Sequence, residues 1–344
     1  MQRIDYMNLQ KIIRYLHEVF MSFKNRVNSH INAIKKKRSI KLASRQFKIL
    51  SDIWHPYFIV GISGSLHLIE ICLQYIPSDV NLILILNGME SWEKEWIRKH
   101  LQVNKIITIE KVLEHGIILD LILDNTSDTF GILDYDCFVF DPSYFSLLRS
   151  LDDHAMINAL FASENPNLNI EFPQTFIMYI NTPVINYLRR KYHVAVSCRK
   201  YSQLSKKAKQ KIATIGIDKK HYPEDFLGKE YFDTFRALIS LGIAEGFQVN
   251  FLEKFNFSSS LGKVFHVGSV SNPNVLKNRW QRRGSYFWRR LLEVNKDNEL
   301  KKRYYEKFGH ITPIELLSHY PSFEVETGMD WFNFVEKFIN REFP

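Results

Sequence analysis

Asp134 and Asp136, one residue apart, close the apolar run Phe130-Gly131-Ile132-Leu133, and Cys137-Phe138-Val139-Phe140 follows directly. In an extended chain successive side chains alternate, so both carboxylates turn to the same side. Two hard oxygen ligands placed in this way suit Mg²⁺ or Mn²⁺. A divalent cation held there would bridge a nucleotide diphosphate and neutralise the charge that develops as the diphosphate leaves. Asp-x-Asp by itself is a common pattern that also serves as a solvated turn or a helix cap. Its meaning therefore depends on the elements that carry it.

Those elements alternate. Short apolar runs predict strands at Tyr57–Ser63, Asn81–Leu86, Lys105–Ile109 and Thr129–Leu133, and amphipathic spacing predicts helices at Leu66–Tyr75, Trp92–His100 and Gly116–Asn125. This order implies βαβ units and a mostly parallel sheet flanked by helices. In such sheets ligands bind beyond the carboxyl ends of the strands. The loops Ser63-Gly64-Ser65 and Asn87-Gly88 fall on that edge, as do the two aspartates. Beyond Asp141-Pro142 the pattern predicts a loop-rich stretch to Pro173, a strand at Thr175–Ile180, helices at Pro183–Tyr192 and Tyr231–Glu245, and strands at Gln248–Phe251 and Lys263–Val267. The last of these runs contains His266, whose residue context fits a structural histidine as well as a ligand.

The formal charge is +9, and the first 50 residues hold 12 Lys or Arg against 2 Asp or Glu, which leaves the rest of the chain near neutrality. Apolar residues at helical spacing from Ile12 to Ile34, followed by Lys35-Lys36-Lys37-Arg38, predict a basic amphipathic helix. Such a helix either packs on the body or makes peripheral contact with anionic membrane headgroups. Three cysteines without metal-ligand spacing argue against a secreted disulfide framework. No apolar run approaches the roughly 20 residues that cross a bilayer, and the N-terminus lacks the pattern of a secretory signal, so a cytoplasmic location is expected. The expected division is a basic helical extension over 1–50, a catalytic domain over 51–275 with its halves meeting at 140/141, and a basic, aromatic, helical C-terminal region over 276–344.

The segment His115–Asp136, HGIILDLILDNTSDTFGILDYD, placed after two or three βα units, resembles the metal-dependent glycosyltransferases of the GT-A fold, and the resemblance extends over roughly Pro56 to Asn272. It implies a Rossmann-like sheet, a nucleotide-sugar donor, with UDP as the expected nucleotide, and a glycan, lipid-linked or protein acceptor. It also implies Mn²⁺ or Mg²⁺ held by Asp136, with Asp134 sharing the metal or contacting the donor ribose. Ser63 and Asn87 would face the nucleotide, and His115 would lie near the donor. A late histidine often completes the metal site in these enzymes, which singles out His266. An acidic residue at the start of an acceptor-side helix commonly acts as base, and Asp233 resembles it, although a first-turn aspartate also favours a helix by itself. The chain departs from the pattern where some members carry Lys-Pro, since Asn272-Pro273 stands there. Lys277, Arg279 or Arg282 would then contact the diphosphate.

Two other classes fit parts of the pattern. A nucleotidyltransferase also uses a parallel sheet and Asp-bound Mg²⁺, but its first loop is usually basic and glycine-rich, whereas Ser63-Gly64-Ser65 has no Lys or Arg beside it. A nucleic-acid-binding protein would use the N-terminal basic cluster and the Arg-aromatic stretch from Arg279 to Arg290, but the near-neutral body gives no recognisable binding module, so no nucleic-acid partner is expected.

Overall fold

Runs such as YFIVGI and LILILN are apolar at successive positions, the composition of strands covered on both faces. The computed structural model describes residues 37–48, 53–103, 105–152, 154–164, 170–198, 200–221, 224–226, 229–253, 263–268, 287–288, 290–291, 298–308 and 331–340. A helix at 37–47 (α1) precedes β1 (Tyr57–Ile62), α2 (Leu66–Gln74), β2 (Leu82–Asn87), α3 (Ser91–His100), β3 (Lys105–Ile109), α4 (His115–Asn125) and β4 (Thr129–Leu133). Next come β5 (Cys137–Val139), α5 (Ser143–Arg149), β6 (Ala155–Glu164), β7 (Glu171–Pro173), β8 (Ile177–Asn181), α6 (Thr182–Tyr192) and α7 (Lys206–Ala213). A hairpin of β9 (Glu224–Phe226) and β10 (Lys229–Tyr231) leads to α8 (Arg236–Glu245), β11 (Gln248–Glu253), β12 (Val264–His266), α9 (Glu299–Phe308) and α10 (Trp331–Ile339).

The main sheet has the order β11-β6-β8-β4-β1-β2-β3, with β7 on the margin of β6. All neighbours along it are parallel except β8, which runs antiparallel to both β4 and β6. The parallel strands β1 to β4 therefore end on one edge, and β8 begins there, Ile177 facing Leu133 across the ladder. The pleat divides the core. Ile83 and Ile85 pack with α1, α4, α6, α7 and α8 on one face, while Leu82, Leu84 and Leu86 pack with α2, α3, α5 and the C-terminal helices on the other.

The expected strands at Lys105–Ile109 and Thr129–Leu133 form with those bounds, and the first three helices differ only at their ends. Two expectations are corrected. The stretch 142–173, expected to be loop-rich, contains α5 and the ten-residue β6. Asn158 interrupts the apolar reading of β6, but its amide is buried and donates to the Leu148 and Ser150 carbonyls at 2.9 and 3.1 Å. The helix expected over Tyr231–Glu245 begins only at Arg236, because Tyr231 ends β10 and Phe235 takes a left-handed φ of 68°. The expected basic helix before residue 37 and the candidates Lys277, Arg279 and Arg282 lie outside the described residues.

One buried carboxyl ties the first loop to the C-terminal region. Glu93 of α3 accepts from the Gly64 N–H at 2.8 Å and from the Tyr304 hydroxyl through one oxygen, and from the Glu90 N–H at 2.8 Å through the other. Trp288 donates its indole N–H to the Gly64 carbonyl at 2.8 Å, so this loop is clamped from both sides. Gly64 sits at φ 92°, a conformation that disfavours a side chain. Tyr304→Phe removes one donor from a fully buried carboxyl, and should cost about 1–3 kcal/mol of stability. Urea denaturation of the full chain checks this, and an unchanged midpoint and slope would exclude the clamp.

Candidate functional site

The edge where β1 to β4 end is assembled from strand termini, and the turn Asp134-Tyr135-Asp136 follows β4 on it. The Asp134 N–H donates to the Phe176 carbonyl at 2.8 Å as β4 leaves the sheet, and the Cys137 N–H closes the turn on the Asp134 carbonyl at 3.0 Å. From below, the buried Cys72 thiol of α2 approaches the Asp134 and Cys137 carbonyls at 3.9 and 3.4 Å. Burial first, and then the two aspartates, push that thiol well up, so it stays protonated and able to donate. Gly131 is required in the strand just before the turn, because a Cβ there would lie 2.2 Å from the ring of the buried Tyr57.

β12 pairs antiparallel with β5 and sets His266 opposite Cys137. The Val267 N–H donates to the Asp136 carbonyl at 3.1 Å, which fastens the strand end to the turn. His266 Nε2 thereby comes to 3.7 Å from an Asp134 oxygen and 3.6 Å from an Asp136 oxygen, within ion-pair distance of both. One ligand atom from each of the three residues lies within 4.8 Å of the others. The imidazole is stacked on Phe176, with ring centroids 4.3 Å apart and planes 24° from parallel. Phe176 thus touches two members of the trio, one through its carbonyl and one through its ring.

The trio is electrostatically strained. Asp136 is buried, 5% exposed, whereas Asp134 keeps a partly open side chain. Burial, the neighbouring Asp136 charge and a smaller contribution from Asp233 raise the Asp134 carboxyl to about 7, although His266 opposes this. Burial works against the charged form of His266, but the Asp136 and Asp134 carboxylates outweigh it and lift the imidazole above its ordinary value. Two hard oxygens and one imidazole form a donor set that suits a divalent cation, since a second positive charge would relieve the repulsion that one imidazolium only partly offsets.

The other expected site residues are arranged as follows. Asp233, through its charge, makes a small contribution to raising the Asp134 carboxyl. It precedes α8 by three residues, its Oδ1 accepting from the Thr234 N–H at 2.7 Å and its carbonyl from the Arg236 N–H at 3.0 Å. Ser63 is half-buried in the clamped loop after β1. Asn87 ends β2 buried, with both amide atoms engaged by the Leu113 backbone, Nδ2 to its carbonyl at 2.9 Å and Oδ1 from its N–H at 2.8 Å. That side chain pins the loop between β3 and α4. His115 begins α4 and is half-buried, beside Gly116, which packs on the Ser197 backbone too closely for a side chain. No local sequence pattern marks Phe176 or Cys72 as part of the site, or Glu93 as the anchor of the first loop; only their contacts reveal them.

Residues 34–185 match the family described as the StrH glycosyltransferase N-terminal domain, a span that includes α1, β1 to β8 and both aspartates. A dTDP-dihydrostreptose–streptidine-6-phosphate dihydrostreptosyltransferase from Streptomyces griseus is 32% identical over 92 residues, 26% of this chain and 23% of that protein. The chain thus matches about a quarter of the length of this curated relative. These matches support a glycosyltransferase-type nucleotide-sugar enzyme fold. Among solved structures, the glycosyltransferase GlyE of Streptococcus pneumoniae is 14% identical, with 85% of this chain and 64% of that chain covered and a TM-score of 0.38. The inositol-1-phosphate CTP transferase of T. maritima is also 14% identical, with 60% and 87% covered and a TM-score of 0.33. Neither structural likeness distinguishes transfer of a sugar from transfer of a nucleotide.

The raised carboxyl predicts a pH dependence of the metal-free protein. A group whose folded value exceeds its ordinary one holds its proton more tightly when folded, so stability is lost as pH rises from the ordinary carboxylate range to about 7. His266, also raised, acts in the same direction. Asp134→Asn should therefore melt a few degrees higher than the parent at about pH 8 and show a much smaller difference at about pH 5. Thermal melts in chelator across that range measure it, and a difference independent of pH would show that Asp134 is not strained.

Proposed function

We propose that this chain is a glycosyltransferase that moves a sugar from a pyrimidine nucleoside diphosphate to a hydroxyl acceptor. The observation that carries the reading is the convergence of Asp134, Asp136 and His266 on the carboxyl edge of the parallel strands, with Asp233 in electrostatic reach. The match over residues 34–185 supports the same assignment. The donor is UDP- or dTDP-linked; the Streptomyces relative is named for a dTDP-linked donor. The acceptor is a glycan or a lipid- or protein-linked hydroxyl.

In this reading Asp134, Asp136 and His266 hold Mn²⁺ or Mg²⁺, imidazole favouring Mn²⁺. The bound ion supplies charge neutralisation at the departing diphosphate. The protein does the remaining work. Asp136, buried and fixed by the backbone bond to Val267, presents its carboxylate with little freedom. Phe176 orients the imidazole, and His266 must be neutral to offer its lone pair, which ties affinity to pH. Asp233 accepts the proton of the attacking hydroxyl, the role of a carboxylate general base. Ser63 and His115, on the same strand-end edge, contact the donor.

A screen of nucleotide sugars for nucleotide release with and without Mn²⁺ tests the reading. Asp136→Ala should lower Mn²⁺-dependent release about 100-fold or more, the scale of losing several kcal/mol of charge stabilisation, with the melting temperature in chelator not reduced. Full metal-dependent release in that variant would sink the ligand assignment, and release of pyrophosphate from a nucleoside triphosphate and a sugar phosphate would replace sugar transfer with nucleotide transfer. Phe176→Ala should weaken Mn²⁺ binding about tenfold, and Phe176→Tyr should restore it, since residues that orient a ligand commonly matter on this scale. Titration followed by water-proton relaxation reads both, and equal affinity in the alanine variant would reduce Phe176 to a packing residue.

A further inference from the structure

The stretch 189–221 holds 11 Lys or Arg and a single acid, Asp218, a concentration of charge that the near-neutral total of the body conceals. It covers the end of α6, α7 and the turn that leaves α7. Part of the charge is absorbed within the fold. Arg189 reaches Asp120 at 3.2 Å and Asp124 at 2.8 Å, and Glu245 of α8 takes both Lys191 and Lys211, the latter at 3.1 Å. Asp218 is occupied by the backbone N–H groups of Lys220 and His221 at 2.7 and 2.8 Å. Arg190, Lys200, Lys206, Lys207, Lys219 and Lys220 remain exposed and make no ion pair with any carboxylate among the described residues.

We propose that this face docks on an anionic lipid surface. Exposed cations of one sign repel one another, and a negatively charged partner relieves that repulsion. Clusters of about four to eight basic residues carried on an amphipathic helix are a footprint that anionic headgroups recognise. Two observations favour a bilayer over a nucleic acid. Tyr187 is exposed on α6, 42% accessible, one turn from Lys191, and such rings settle at the headgroup boundary. α1 also packs through Ala43 and Phe47 into the same core layer as Ile185, Leu188, Ala208 and Ile212, so it lies on the same side of the sheet as α6 and α7. The sequence leading into α1 combines basic residues with apolar residues at helical spacing from Ile12 to Ile34, a pattern for lying in a lipid interface that a polyanionic groove would not need. Ala208, Ile212 and Tyr192 are buried beneath the patch, so it is carried on a firm base.

Sedimentation of the full chain with phosphatidylcholine vesicles, with and without phosphatidylglycerol, tests the proposal. Binding should require the anionic lipid and weaken as salt rises. Lys206→Glu, Lys207→Glu, Lys219→Glu and Lys220→Glu combined should lower partitioning about 100-fold or more, each basic residue near such a surface contributing a several-fold factor. Four glutamates introduced instead at exposed positions of α3 and α9, on the other side of the sheet, should leave it within about threefold. Equal pelleting of the quadruple variant and the parent would overturn the proposal, as would loss of binding caused only by deleting Met1–Arg38. Salt-sensitive binding to duplex DNA without binding to anionic vesicles would also overturn it. Nucleotide release is a separate readout, so failure here leaves the donor chemistry untouched.

Discussion

Holding Asp134 and Asp136 side by side against a single imidazole is the costly feature around which this end of the molecule is built. The Asp136 charge at ligand distance raises the proton affinity of Asp134, and burial of Asp136 removes the water that would screen the pair. The arrangement persists because the backbone, rather than the side chains, is fixed. The Asp134 N–H is held by Phe176, the turn closes on itself through Cys137, Cys72 supports it from below, and Val267 fastens its far side. Each contact uses a neutral donor or a carbonyl, so none of them neutralises the carboxylates, which remain available to a cation.

The C-terminal residues matter because β5 and β12 are only three residues each and stand apart from the main sheet. A two-stranded ribbon of that length has little stability of its own. Its inward rings supply the rest. Phe138 and Phe265 stack at 6.0 Å and pack with Phe287 and Phe338, and Phe334 lies 4.6 Å from Phe265. The helices beyond residue 286 therefore support the strand that presents His266. Through Trp288, Tyr304 and Glu93 the same region clamps the loop after β1, so two parts of the strand-end edge depend on one aromatic layer.

The two faces of the sheet have different surroundings. One carries the aromatic layer that sustains the ribbon, while the other carries α6 and α7, whose Lys206 and Lys207 meet no carboxylate among the described residues. Glu245 marks the limit of internal neutralisation: one carboxylate meets Lys191, Lys211 and the Tyr192 hydroxyl, which hold it at about 2 against its burial, and among the described residues the cations beyond meet no other carboxylate. Chain-wide charge says little about such a face, because the acids that balance it lie elsewhere in the sequence.

The alternation of strands and helices from Tyr57 to Leu133 was legible in the sequence because each element declares its own period, and the strand-end position of Asp134 and Asp136 followed from it. So did the candidacy of His266 and Asp233, by resemblance and not by contact. What local periodicity does not contain is pairing. β6 reads as irregular because its polar Asn158 is satisfied by carbonyls eight and ten residues away, and the late start of α8 follows from a left-handed Phe235 that no residue type announces. Asn87, on the strand-end edge as expected, has its amide engaged by Leu113, a bond created only when β2 and the loop after β3 come together. The meeting of His266 with the aspartates depends on an antiparallel ladder between segments about 130 residues apart, and the stack of Phe176 on its ring depends on β8 entering the sheet against the direction of its neighbours. Chemistry-bearing residue types and local periods are properties of the chain, whereas the distances that make them a site arise from register between remote strands, which only the packed core sets.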